Sequence, residues 1–222
     1  MKTSVANITD TTPYRVGLWS GVAAFVSTVL FGVVQMLQIF RIIDDPLDKI
    51  LIYGFSLCIA VPFILEMLAL HYVTIQQKQF WSHAAVIFTA IYSVFVTANY
   101  VVQLATVIPM SLKGELEEVR ILNQTPHSIF WNFDALGYIF MGLATLFAVP
   151  VFKQRGFHRW VRGFFLANGL VTPLIAFVYF YPDFSETLLI IGLSWAITAP
   201  GSMLLLAIMF AKDRRKIIHQ TE

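Results

Sequence analysis

Six long apolar stretches, at residues 17–41, 50–75, 80–109, 128–152, 159–181 and 186–211, occupy most of this chain. Each exceeds the about 20 residues that a helix needs to cross the hydrocarbon core of a bilayer. In lipid there is no water to satisfy a backbone, so a lone spanning segment must bond internally, as a helix. A β-barrel would read instead as segments of about ten residues alternating between apolar and polar, and no such alternation occurs. The expected fold is an all-α integral membrane protein, one helical domain over residues 1–222, with about six transmembrane helices.

Composition excludes a soluble alternative. Hydrophobic residues make up 58% of the chain and charged residues 13%, against about 25% charged in soluble domains. With 20 phenylalanines to place, a water-soluble fold of this size would expose large apolar patches. The formal charge of +2 comes with no basic stripe interleaved with aromatics, so nucleic acid is not an expected partner. The lipid bilayer is. The single cysteine, Cys58, lies in an apolar run and reads as a small buried hydrophobe. The first apolar run, from about Val16 to Phe40, is too long for the 7 to 15 residues, roughly, of a secretory core, and is expected to be retained as a helix.

The connectors carry turn residues: Asp44-Asp45-Pro46, Lys113-Gly114, Arg155-Gly156 and Pro182-Asp183. Only the third, residues 111–127, is long enough for structure of its own, and its Leu112 to Leu122 segment suits a short amphipathic helix over the membrane mouth. Alternate connectors differ in charge. The two termini with the second and fourth connectors hold eleven lysines and arginines (Lys2, Arg15, Lys78, Lys153, Arg155, Arg159, Arg162, Lys212, Arg214, Arg215, Lys216), whereas the other three connectors hold four (Arg41, Lys49, Lys113, Arg120). The positive-inside rule then places both termini in the cytoplasm and 111–127 outside. Asp44, Asp45, Asp48, Glu115, Glu117, Glu118, Asp183 and Glu186 fall on the outer side. Trp19, Trp81, Trp131 and Trp160 stand near span ends as interfacial anchors. Length, short loops and the lack of appended domains resemble those of small bacterial inner-membrane proteins, which makes a plasma membrane the expected location.

Ionisable residues inside a span are costly and usually functional. Two stand out, Glu66 and Asp134. Asp134 shares a helical face with His127, Trp131, Tyr138, Met141 and Thr145, and the preceding span carries Tyr92, Asn99, Gln103 and Thr106 on one face. Neighbouring spans would let these stripes meet. Such a cluster either glues helices through hydrogen bonds or lines a pocket in which a carboxylate flanked by Trp131 and Tyr138 suits a cationic or amphiphilic ligand. Glu66 follows Pro62 by four residues and either pairs with Asn168 or is protonated and merely packed; with such a partner, Glu66→Leu would destabilise by orphaning it. Pro and Gly at Thr172-Pro173 and Thr198-Ala199-Pro200-Gly201-Ser202 predict bent or broken helices. Ala144 and Ala148 permit close helix contact, within one chain or between chains.

His71, His83 and His158 lack the close spacing of a metal motif, and no phosphate loop, HExxH, GxSxG or Rossmann fingerprint occurs, so neither metal nor cofactor is expected. Asn7-Ile8-Thr9 and Asn123-Gln124-Thr125 match the short glycosylation pattern. The leading expectation is a protein that binds or moves a small amphiphilic or cationic ligand at Asp134, Trp131, Tyr138, Asn99 and Gln103, with Glu66 deeper in the bundle. A membrane-embedded lipid-modifying enzyme using Glu66 or Asp134 in acid–base chemistry is the first alternative. A structural or accessory subunit is the second.

Overall fold

The computed structural model describes residues 10–183, 185, 188, 192 and 194–221, with the backbone alone for 220 and 221. Lys2, the Asn7-Ile8-Thr9 triplet, Glu186 and much of the expected sixth span before Trp195 lie outside the described residues.

Six helices long and apolar enough to cross a membrane make up the fold, and no strand occurs among the described residues. They are α1 (Thr12–Ile39), α2 (Leu47–Tyr72), α3 (Gln79–Val102) with its continuation, α5 (Ile129–Ala148), α6 (His158–Phe180) and α7 (Trp195–Thr221). Helix α3 runs on through a π-helical turn, Gln103–Val107, into the short helix α4 (Ile108–Leu112). Local chemistry sets several boundaries. Thr12 N–H donates to Asp10 Oδ1 at 2.9 Å where α1 begins, and Ser128 caps α5 by accepting from Trp131 N–H at 3.2 Å. Helix α6 stops at Phe180 because Tyr181, placed before Pro182, is extended.

The spans form a closed antiparallel ring in chain order, with α7 returning to α1. Paired contacts fix the directions. Tyr14 meets Phe210 and Phe31 meets Trp195 across α1 and α7. Phe63 meets Tyr92 between α2 and α3. Between α3 and α5 runs an aromatic zipper in which Phe88 packs on Phe140 and Phe147 and Phe95 on Phe133 and Phe140. Close approaches seal other seams: a Cβ at Gly142 of α5 would collide with Thr172 of α6. Ala144 and Ala148 are fully buried within the bundle, so their small size serves contact inside the chain.

Val26, Val61, Val94, Leu170 and Ile197 lie exposed on the outer surface of the ring. Such an apolar outer surface is what lipid contact requires. Cys58, expected to be buried, is part of that outer surface. One end of the bundle carries the basic residues of the α2–α3 and α5–α6 connectors and the end of α7, and the other carries the acidic connectors.

Two expectations need correction. Helices α2, α6 and α7 run on as helix through Pro62, Pro173 and Pro200, so none is broken there. The interruption falls instead at Gln103–Val107, where Ile108 N–H reaches back five residues to Gln103. Pro109 supplies the reason, since it has no N–H to continue the ordinary ladder. Lastly, the expected amphipathic helix between Leu112 and Leu122 is a turn at Lys113-Gly114 followed by a 3₁₀ segment, Leu116–Leu122, with Val119 buried beneath it.

Candidate functional site

Asp134 sits six residues inside α5, 5% exposed, on the inner surface of the ring. Its two carboxylate oxygens are held from opposite sides. Tyr100 of α3 donates its hydroxyl to Oδ1 at 2.6 Å, and Tyr179 of α6 donates to Oδ2 at 2.5 Å. The Gln124 side chain, from the 3₁₀ connector, is a third polar neighbour. Two hydroxyl donors at these distances orient the carboxyl group. They do not neutralise it, and no ion pair to Asp134 forms among the described residues.

Below the carboxylate lies a cavity of about 20 Å³, lined by Phe31, Ser56, Ile59, Tyr92, Val96, Tyr100, Asp134, Tyr138, Met141 and Trp195. That is room for about one water molecule. With Tyr179 on the far oxygen, all six spans contribute. Tyr53 stacks on Tyr100 with ring centres 5.6 Å apart, and Tyr138 meets Trp195 edge-on at 4.8 Å. Trp195 is buried and its Nε1 has no hydrogen-bond partner among the described residues. A carboxylate ringed by electron-rich aromatic faces favours positive charge, because the ring quadrupoles and the carboxylate attract the same sign.

Asn99 and Gln103 are not among the residues that line this cavity; they act on the connector that carries Gln124. Asn99 Nδ2 donates to Gln124 Oε1 at 2.9 Å; Gln103 Nε2 donates to Leu122 O at 2.7 Å, and its Oε1 accepts from Gln124 N at 3.1 Å. Both are fully buried, and they fasten the Leu122–Gln124 cover, whose Gln124 side chain neighbours Asp134. No hydrogen bond passes from either to Asp134 among the described residues. The π turn adjusts this face: Gln103 and Val107 are buried while Thr106, expected on the stripe, turns partly outward. One added residue in a turn shifts every following side chain around the helix.

Trp131 is packed inward rather than free as an anchor; its Nε1 donates to Tyr179 O at 3.1 Å and its ring lies 4.6 Å from that of Tyr179. It therefore positions the tyrosine that holds Asp134. Trp19 and Trp160, by contrast, are well exposed. His127 precedes the Ser128 cap at a positive φ of 66° and is exposed, off the α5 face. Thr145 faces inward toward Asn168.

Glu66 is fully buried, and neither carboxyl oxygen has a hydrogen-bond partner among the described residues. The expected pairing with Asn168 does not form. Asn168 is engaged elsewhere, giving Nδ2 to Thr145 at 3.1 Å and accepting from Thr198 at 3.0 Å. Glu66 instead packs against α1 near α7: a Cβ at Gly21 would collide with Glu66 Oε1 and crowd Ala207. Ser56, Ile59, Phe63, Glu66 and Leu70 share one buried face of α2. Ser56 and Ile59 line the Asp134 cavity, and Leu70 lines a crevice at the basic end. At 1.5 Å rise per residue, Glu66 stands about 10 Å along the helix from Ile59 and about 6 Å from Leu70.

Tyr100, Tyr179, Gln124 and Trp195 were not singled out by the sequence pattern. Tyr100 is offset from Asn99 by one position, about 100° around the helix. Asp48, read as a loop acid, is buried in the first turn of α2, where Gln38 donates to it at 2.6 Å. Among the described residues no group of three or more His, Cys, Asp or Glu could hold a metal ion. Comparison of the chain with family models, curated proteins and solved structures finds no match.

Proposed function

We propose that this multi-pass membrane protein binds, and moves across the bilayer, a small organic cation whose charged head seats against Asp134. The observation that carries the reading is the charge of the site. Asp134 is buried at the axis of the ring, is held by two hydroxyl donors, and meets no cationic side chain among the described residues. In a low-dielectric interior an uncompensated carboxylate is costly, and a proton or a bound cation removes the cost. Tyr92, Tyr100, Tyr138, Trp195 and Phe31 supply the aromatic walls that recognise such a ligand. The space of about 20 Å³ takes an ammonium-sized head, and a larger one such as tetramethylammonium requires the walls and the Leu122–Gln124 cover to move. On the positive-inside rule this cover lies outside the cell, and both termini lie in the cytoplasm of a cell bounded by this membrane.

A second reading has its own support. A site with room for about one water and both carboxylate oxygens bonded also suits a structural subunit in which Asp134 ties α3 to α6. Uptake of tetramethylammonium and tetraphenylphosphonium into proteoliposomes separates the two. The transport reading expects saturable uptake that Asp134→Asn abolishes while the protein stays folded. A bundle that is only structural gives the leak of empty liposomes for both proteins.

A further inference from the structure

At the basic end of the bundle a crevice of about 560 Å³ opens between the start of α1, the end of α2, the α5–α6 connector and the last turns of α7. Lys78, Lys153, Arg155, Lys212 and Lys216 line it with His158, against one acid, Asp213. That acid is already engaged, with His158 Nε2 at 3.2 Å and Lys216 Nζ at 2.7 Å. Two other cations are positioned without being neutralised: Lys78 Nζ donates to Val151 O at 3.2 Å, and Lys212 Nζ lies 4.0 Å over the Phe157 ring. Lys153 and Arg155 are exposed and have no acidic partner among the described residues.

Orientation of the chain requires only that basic residues be present at one end. It does not require cations from three separate segments to converge on one hollow. Much of the remaining wall is apolar, with Leu70, Val73, Ile75, Val151, Phe152 and Met209 beside Tyr14 and Thr74. A basic hollow with an apolar wall, at the end of membrane-spanning helices, matches a molecule with an anionic phosphate head and a hydrocarbon body.

We propose that this crevice binds the headgroup phosphate of an anionic phospholipid, between Lys78, Lys153, Arg155 and Lys212, with the acyl chains along Ile75 and Val151. The proposal is independent of the reading of Asp134. The phosphate's charge is met by cations that no acid offsets, and its chains by the apolar wall; a free phosphate ion would use only the first.

The test uses the full-length protein in detergent, with retained lipid counted by native mass spectrometry after exposure to phosphatidylglycerol or phosphatidylcholine. Phosphatidylglycerol is expected to be retained preferentially. Lys153→Gln with Arg155→Gln is expected to weaken that retention about tenfold or more, the scale of two charges at an anionic surface. The swap Lys153→Arg with Arg155→Lys is expected to preserve it. Arg162→Gln with Arg215→Gln removes the same charge from the same end but outside the crevice, and is expected to leave retention unchanged. Equal loss in both glutamine variants, or equal retention of the two lipids by the wild type, would overturn the proposal in favour of a diffuse basic surface. Displacement of the lipid by millimolar inorganic phosphate would overturn the lipid assignment and make the ligand a free phosphate.

Discussion

Tyr179 of α6 donates its hydroxyl to Asp134 Oδ2 at 2.5 Å and accepts, through its own carbonyl, the indole N–H of Trp131 one turn before Asp134 on α5. This two-point clasp joins neighbouring helices at the depth of the buried carboxylate. Tyr179→Phe keeps the ring but removes the donor, leaving a buried oxygen unsatisfied at a cost of about 1 to 3 kcal/mol. Unfolding in a denaturing detergent titration should show that loss, with Tyr181→Phe at the exposed end of α6 as an unaffected control. Wild-type stability for Tyr179→Phe would mean that the hydroxyl bond contributes nothing.

Asn99 and Gln103 hold the connector rather than the carboxylate, and that assigns them a distinct phenotype. Gln103→Ala breaks two hydrogen bonds to Leu122–Gln124 and Asn99→Ala breaks one. Hydrogen exchange of residues 116–124 should quicken in both variants, more in Gln103→Ala, while exchange in α1 and α2 stays as it was. Uniform protection across the connector would show that other contacts, such as buried Val119, suffice to hold it.

Glu66 has no hydrogen-bond partner among the described residues, so its substitutions reverse the sign expected from a paired carboxyl. Glu66→Met replaces an unsatisfied buried group by an apolar one of similar length and is predicted to raise stability by about 1 to 3 kcal/mol. Gly21→Ala should destabilise the wild type, because its Cβ collides with the Glu66 carboxyl, and destabilise less in a Glu66→Ala background. Coupling of at least about 0.5 kcal/mol in that cycle is the expected result. A loss of stability in Glu66→Met would point to a partner that the buried carboxyl does not have here.

Orientation follows from charge. Reporters fused after residue 222 or within 75–79 are predicted to read cytoplasmic, and those within 111–127 external. An external carboxyl terminus would invert the bundle, place the Asp134 cover on the inside, and expose the basic crevice to the outer leaflet.

The six spans are legible in the sequence because lipid demands continuous apolar length, a signal that survives without knowing any contact. Asp134 and Glu66 are legible for the same reason, as charges where charge is costly. Their partners are not. Tyr100 and Tyr179 reach Asp134 only through the pairing of α3 with α5 and of α5 with α6, and neither residue looks unusual in an aromatic-rich span. Gln124 returns from a connector whose path the sequence does not reveal. Asn168, the nearest polar candidate for Glu66 by depth, is taken by Thr145 and Thr198, a competition that depends on helix rotation. The π turn has a visible cause in Pro109, yet the residue it turns inward, Val107 in place of Thr106, follows only from the altered ladder.

The most direct measurement is isothermal titration of tetramethylammonium and tetraphenylphosphonium into the purified wild type and into Asp134→Asn, with melting curves confirming that both are folded. A cation held by the carboxylate and its aromatic walls gives saturable binding to the wild type that Asp134→Asn weakens about tenfold or more, as expected for loss of a buried charge contact. Absence of binding to the wild type, or equal binding to both proteins, would contradict a cation site at Asp134 and leave the carboxylate as a structural tie between α3 and α6.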